Sequence, residues 1–279
     1  MHFMNTTNTH ITALVLGATG KTGRRVAARL NCAGHRVRAG SRSAAVPFNW
    51  DDRSTWGELL DGVDAAYVVY APDVSLPGAD EQVGALAKLA RQAGVRRLVL
   101  LSGRGEQGAI NAESSVRSAF PEATIVTASW FAQNFSEDFL ADFVATGDIA
   151  LPAGTVAEPF VDAEDIADVV ASALTTDDHQ GRRYEVTGPR LLTFADVAAD
   201  LTAATARRII YTPVTAEESA RRLTERGVAP DLVEMLTHLF TEVLDGRNAS
   251  LGDGVQQALG RPPRDFADYA RDAAGKGAI

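Results

Sequence analysis

The chain has 279 residues, with 27 Lys and Arg against 36 Asp and Glu, a formal net charge of −9, and 46% apolar residues. That charge excludes a protein that holds nucleic acid by neutralising phosphates, and the length is enough for one large hydrophobic core or two small ones. A single cysteine, Cys32, excludes an intramolecular disulfide, and no apolar run approaches the roughly 20 residues that span a bilayer.

The first ten residues, MHFMNTTNTH, are polar and lack a hydrophobic signal core, so 1–10 read as a loose tail and the expected location is cytoplasmic. ITALVLGA then reads as a strand, and GRRVAARLNCAG as a helix closed by Gly34. HRVRAGSR is a second strand, VPFNWD a short third, STWGELLDG a short helix and DAAYVVYAP a fourth strand. DEQVGALAKLARQAG is an amphipathic helix closed by Gly94, followed by strands at RRLVLLSG and ATIVTASW. Helices alternating with Val- and Leu-rich strands imply an α/β, Rossmann-like, doubly wound parallel sheet, to whose edge YEVTG adds a late strand.

The last third changes character. DAEDIADVVASAL is a helix with Asp162 as its cap, and TAEESARRLTERG opens with Thr215 and Glu218 at the spacing of a capping box. PDLVEMLTHLFTEVL is a further helix. The expected organisation is a dinucleotide-binding domain over 11–155 and a smaller, mostly helical lobe over 156–279. Such a lobe at the C-terminal strand ends would close a cleft over a bound cofactor.

LVLGATGKTG, residues 14–23, carries the first chemical signal. It ends in Gly-Lys-Thr, but a triphosphate-binding loop needs a glycine at position 15, where the chain has Val15. Gly17, Gly20 and Gly23 instead follow a strand and open a helix, which suits a dinucleotide. Gly17 makes the tight turn, Gly20 lets the backbone approach a pyrophosphate, and Gly23 packs the helix on the strand. With Ala18, Thr19, Lys21 and Thr22 they form the candidate cradle at a helix N-terminus, where N–H groups and the helix dipole favour anions. The second strand ends in Ser41 and Arg42 rather than an acid. A carboxylate there would repel a 2′-phosphate and a guanidinium would bind it, so NADP(H) is the expected cofactor.

No catalytic machine stands out. None of the tyrosines has a lysine four residues later, and the helix expected after the fifth strand, in SGRGEQGAINAESSVRS, has neither residue type. Lys21, Lys88 and Lys276 are the only lysines. The histidines have no metal-ligand spacing, and there is no Gly-x-Ser-x-Gly elbow. Ser102, at the end of the fifth strand, reads as a polar cap on the strand, a relic of a catalytic serine, or a contact to cofactor or substrate. The catalytic residues are therefore unassigned and no metal is expected.

LVLGATGKTGRRVAARL, FNWDDRSTW, GVRRLVLLSG, SWFAQNFSEDF, PFVDAEDIADVV and YEVTGPRLLTFADVA together resemble the NmrA-like branch of the atypical short-chain dehydrogenases. AEESARRLTERGV and GRPPRDFADYA are similar to the ergot-alkaloid reductases of the festuclavine and agroclavine dehydrogenase type and their bacterial relatives. The resemblance covers about residues 11–270. It implies a Rossmann domain that binds NADP(H), with Tyr70 and Ala71 joining the cofactor face, and most members lack the Tyr/Lys pair. It also puts SWFAQNF beside the nicotinamide, with Trp130, Phe131 and Phe135 as an apolar wall and Asn134 as a polar anchor; the same aromatics would equally serve as packing.

The expected activity is NADPH-dependent reduction of a small, apolar, natural-product-like substrate, with an iminium or activated double bond favoured. An iminium carbon already carries positive charge, so no protein side chain is expected to be an obligatory proton donor. Quinone reduction, NADP(H) sensing by a non-catalytic regulator, and non-redox cyclisation stay open. The expected partner is a small molecule, with no nucleic acid and no membrane, and self-association is left open.

Overall fold

The computed structural model of the chain describes residues 10–42, 44 and 46–279. The expected tail lies outside the described residues except for His10, whose ring meets the Gly34 carbonyl at 2.8 Å.

In chain order the strands are β1 Thr12–Leu16, β2 Arg36–Gly40, β3 Ala65–Val68, β4 Arg97–Gly103, β5 Thr124–Ala128, β6 Asp148–Leu151, β7 Ala157–Glu158, β8 Arg183–Val186, β9 Leu192–Thr193 and β10 Ile210–Pro213. The helices are α1 Gly23–Cys32, α2 Trp56–Leu60, α3 Ala79–Gln92, α4 Gln107–Ala119, α5 Asn134–Glu137, α6 Leu140–Thr146, α7 Ala163–Thr175, α8 Phe194–Thr205, α9 Ala216–Glu225, α10 Pro230–His238, α11 Gly254–Leu259 and α12 Phe266–Gly275. A π-helical turn, Leu239–Val243, continues α10.

Six strands form one parallel sheet in the order β2-β1-β3-β4-β5-β8, with the late strand at its edge. β1 pairs Leu16 with Gly40 on one side and Val15 with Tyr67 on the other. Four of the five β1 residues and all of β3 and β5 are buried, so these strands are covered on both faces instead of alternating between core and solvent. α1 buries Gly23, Val26 and Leu30, the one-face spacing that a helix lying on a sheet requires. It ends where Gly34 takes a φ of +82°, a left-handed conformation open to glycine at little cost.

The chain divides into two compact units that interleave in sequence. The first holds residues 1–102, 110–125 and 167–182; the second holds 103–109, 126–166 and 183–279. The division therefore does not fall at a single point near residue 155. Unit 2 builds its own core around Phe135, Phe160, Phe194, Phe240 and Phe266. Two short ladders belong to it: β6 with β10, parallel, and β7 with β9, antiparallel.

The expected third strand at VPFNWD does not form. Pro47 has no N–H to give a ladder, and the chain turns back at once, with the Asp52 N–H donating to the Asn49 carbonyl at 3.2 Å. The segment packs through its rings instead: Phe48 and Trp50 have centroids 4.9 Å apart, and the Trp56 indole N–H donates to the Asn49 carbonyl at 2.8 Å. Asp162 caps α7 as expected, accepting the Glu164 N–H at 2.9 Å. At α9 only half of the capping box forms. Thr215 accepts the Glu218 N–H, but the Glu218 carboxylate turns outward to Arg221 and Arg222. The complete box lies at α8, between Thr193 and Asp196.

Candidate functional site

In unit 1, β1 delivers the chain into the turn of residues 17–22 and α1 carries it away. Gly17 has a φ of +60°, donates its N–H to the Gly40 carbonyl at 3.0 Å and accepts the Gly20 N–H at 2.8 Å. At its glycines the turn leaves little room for a side chain. A Cβ on Gly23 would lie 2.1 Å from the Gly17 carbonyl oxygen, and one on Gly20 would lie 3.2 Å from the same atom. Gly20 itself is exposed and Gly23 is buried, so the first offers its backbone outward and the second packs inward.

The Thr22 hydroxyl accepts the phenolic proton of Tyr67 at 2.8 Å, which ties the turn to β3 inside the core. Burial raises the Tyr67 pKa, so the phenol keeps that proton. Ala18 and Lys21 are half-buried, and Thr19 is exposed. The start of α1 has no acidic residue in its first turn and no side-chain cap, leaving the helix dipole unopposed there.

Ser41 and Arg42 follow β2 directly. The Ser41 carbonyl accepts the Phe48 N–H at 3.0 Å, which fixes the loop's return. Arg42 is exposed and has no hydrogen-bond or ion-pair partner among the described residues. Tyr70 follows β3, its ring 4.8 Å from Trp50, and burial with the nearby Asp51 raises its pKa. Ala71, exposed, precedes Pro72 across a cis peptide bond. Ser102, buried near the end of β4, donates to the Glu113 carboxylate on α4 at 2.7 Å.

In unit 2 the run from Trp130 to Phe135 splits into two roles. Trp130 is half-buried, with its ring 5.2 Å from Phe240, and Phe131 is half-buried and bridges to Val161. Asn134 is also half-buried. Phe135 departs from the expected apolar wall. It is 0% exposed and packs edge-on against Phe160 and Phe266, so it offers no surface to a ligand. Between them Gln133, which the sequence did not flag, donates to Asp162 at 2.7 Å and accepts the Ala163 N–H at 2.7 Å, locking the start of α7.

Two further groups escaped the sequence reading. Arg104 is 6% exposed and donates to Glu185 at 2.8 Å and to the carbonyls of Asn248 and Ser250 at 3.0 and 3.1 Å. Glu158 is 0% exposed, and neither carboxyl oxygen has a hydrogen-bond partner. Burial pushes its pKa up to about 7, with Arg104 pulling it back down and Asp245 adding to the rise. Its one trace in the sequence is an acid inside the otherwise apolar run TVAEPFV.

No protein-family model matches the chain. Festuclavine synthase II of Penicillium roqueforti is 31% identical over 93% of this chain and 97% of its own. Agroclavine dehydrogenase of Claviceps fusiformis is also 31% identical, over 94% and 97%. The chain belongs to the family of the festuclavine and agroclavine dehydrogenases. Among solved structures, the triphenylmethane reductase of Citrobacter sp. complexed with NADP(H) shares the fold, at 18% identity and a TM-score of 0.75 over 95% of this chain and 99% of that one. The family's fold is thus the one built here around the Gly17–Gly23 turn. No described helix is long and apolar enough to cross a membrane.

Proposed function

We propose that this chain is an NADPH-dependent reductase of a small, mostly apolar, natural-product-like molecule, with an iminium carbon or an activated double bond as acceptor. Its family carries the coarser statement, that it is an NAD(P)H-dependent oxidoreductase with NADP(H) as cofactor. The observation that supports the cofactor reading most directly is the βα turn. Gly23 admits no Cβ against the Gly17 carbonyl, Gly20 presents backbone, and the α1 N-terminus is uncapped, which together fit a pyrophosphate.

Residues 17–23 would hold the pyrophosphate, and Ser41 and Arg42 the 2′-phosphate. Tyr70, Ala71 and Ser102 would complete that face. Bound there, NADPH supplies the hydride. The chain's own part is to orient the partners and exclude water. Trp130 and Phe131 would support an apolar skeleton and Asn134 would anchor a polar atom, with Phe135 bracing them from the core. An iminium acceptor suits a chain whose α4 has neither Tyr nor Lys, because its reduction leaves no oxyanion to protonate.

The test is NADPH consumption with a panel of iminium, quinone and enone compounds. The expected outcome is turnover of an iminium or an activated alkene, with NADH as the poorer cofactor. Stoichiometric NADPH binding without turnover of any electrophile would support a cofactor-sensing regulator instead.

A further inference from the structure

Glu158 has no role in the reading above, yet it is the most anomalous side chain in unit 2. Buried polar atoms are almost always hydrogen-bonded, and an ionised carboxylate left without donors in a dry interior costs several kcal/mol. Both Glu158 oxygens are in that position. The neighbouring charges are already engaged. Arg104 gives its guanidinium to Glu185 on β8, to Ser129 and to the 248–250 segment. Asp245, just beyond the π-helical turn, is paired with Arg247 at 2.7 Å. Among these described groups, an ionised Glu158 leaves one negative charge unmatched.

β7 runs on into residues 159–161, where the Val161 N–H donates to the Trp130 carbonyl and the Ala132 N–H donates to the Val161 carbonyl, each at 2.8 Å. The strand that carries Glu158 therefore lies alongside the segment that carries Trp130 and Phe131. The π-helical turn preceding Asp245 puts Phe240 against Trp130, and such turns recur at functional sites.

We infer that unit 2 takes its ligand as a cation, an iminium ion or a protonated amine, with Glu158 as the counter-ion and the Trp130–Phe131 segment beneath the apolar skeleton. This rests on reading that segment as the substrate side. A single buried carboxylate supplies the one negative charge and the acceptor atoms that such a ligand lacks. Because burial holds the carboxyl near neutrality, the empty site is largely neutral at pH 6 and anionic at pH 8, and the cation binds the anionic form.

The experiment is calorimetric binding to the full-length chain of N-methyl-3,4-dihydroisoquinolinium, whose charge is fixed, beside the neutral lactam of the same skeleton. Affinity for the cation should rise about tenfold between pH 6 and pH 8 as the carboxyl ionises. It should be flat and weak in Glu158→Gln, and the lactam should show no such rise. In wild-type protein with 13C-labelled glutamate carboxyls, one resonance should titrate near pH 7 and move to lower pH when the cation is added. That measurement needs no variant to fold. A rise that persists in the glutamine variant, a pH-independent wild type, a lactam preferred at low pH, or no carboxyl responding to the cation would each overturn the inference. If the cation binds as described but NADPH is not consumed, the counter-ion stands and the reductase reading fails. Turnover with pH-independent binding is the reverse result.

Discussion

At the end of β2 the chain puts Ser41 and Arg42 where many dinucleotide sites place an acid against the ribose 2′-hydroxyl. Arg42 is exposed and has no partner among the described residues, so no internal ion pair has to be broken before it meets a phosphate. A lost charge-assisted hydrogen bond costs about 1.5–3 kcal/mol. Arg42→Ala should therefore weaken NADPH binding roughly 10- to 150-fold and leave NADH within about twofold, measured as separate dissociation constants. Equal weakening of the two would remove the 2′-phosphate assignment.

The strand–turn–helix element makes a sharper distinction between two glycines that look alike in sequence. A side chain at position 20 meets one carbonyl at 3.2 Å from an exposed site, whereas a side chain at 23 would overlap the same atom at 2.1 Å inside the packed turn. Gly20→Val should abolish dinucleotide binding in a chain that still unfolds cooperatively. Gly23→Ala should lower the melting temperature sharply before binding can be measured; thermal unfolding beside NADPH titration separates the cases. This element was legible because glycine's uses in it are stereochemical and local. The buried strands were legible for a similar reason, through their unbroken runs of Val, Leu and Ala. VPFNWD misled because its aromatic residues suit a strand and a ring cluster equally, and only the packing of Phe48, Trp50 and Trp56 decides between them. Phe135 was ambiguous for the same reason. Glu158 left only a lone acid in TVAEPFV as its trace, since the charges that act on it, Arg104 and Asp245, lie far from it in sequence and leave no periodic mark.

For the whole molecule, Glu158 also sets a slope of stability against pH. Its folded pKa, about 7, lies above the ordinary 4.5, so the folded chain holds a proton that the unfolded chain has lost between those values. The contribution is fully present below about pH 4.5, declines as pH rises toward 7 and is gone above it. Glu158→Gln should remove this slope. Relative to its own difference from wild type at pH 4.5, the variant should gain up to about 3 kcal/mol by pH 8, read by denaturant unfolding at both pH values. A difference that does not vary with pH would show that the carboxyl titrates alike in the folded and unfolded chains, so that burial does not raise its pKa. The interleaving of the two units has a practical consequence for engineering. Transplanting unit 2 from a relative means exchanging three segments at five junctions, and four of these cut through β4, α4, β5 and α7. A chimera with one crossover would inherit both units as mosaics, so point substitution disturbs the packing of this scaffold less than swapping halves of the gene.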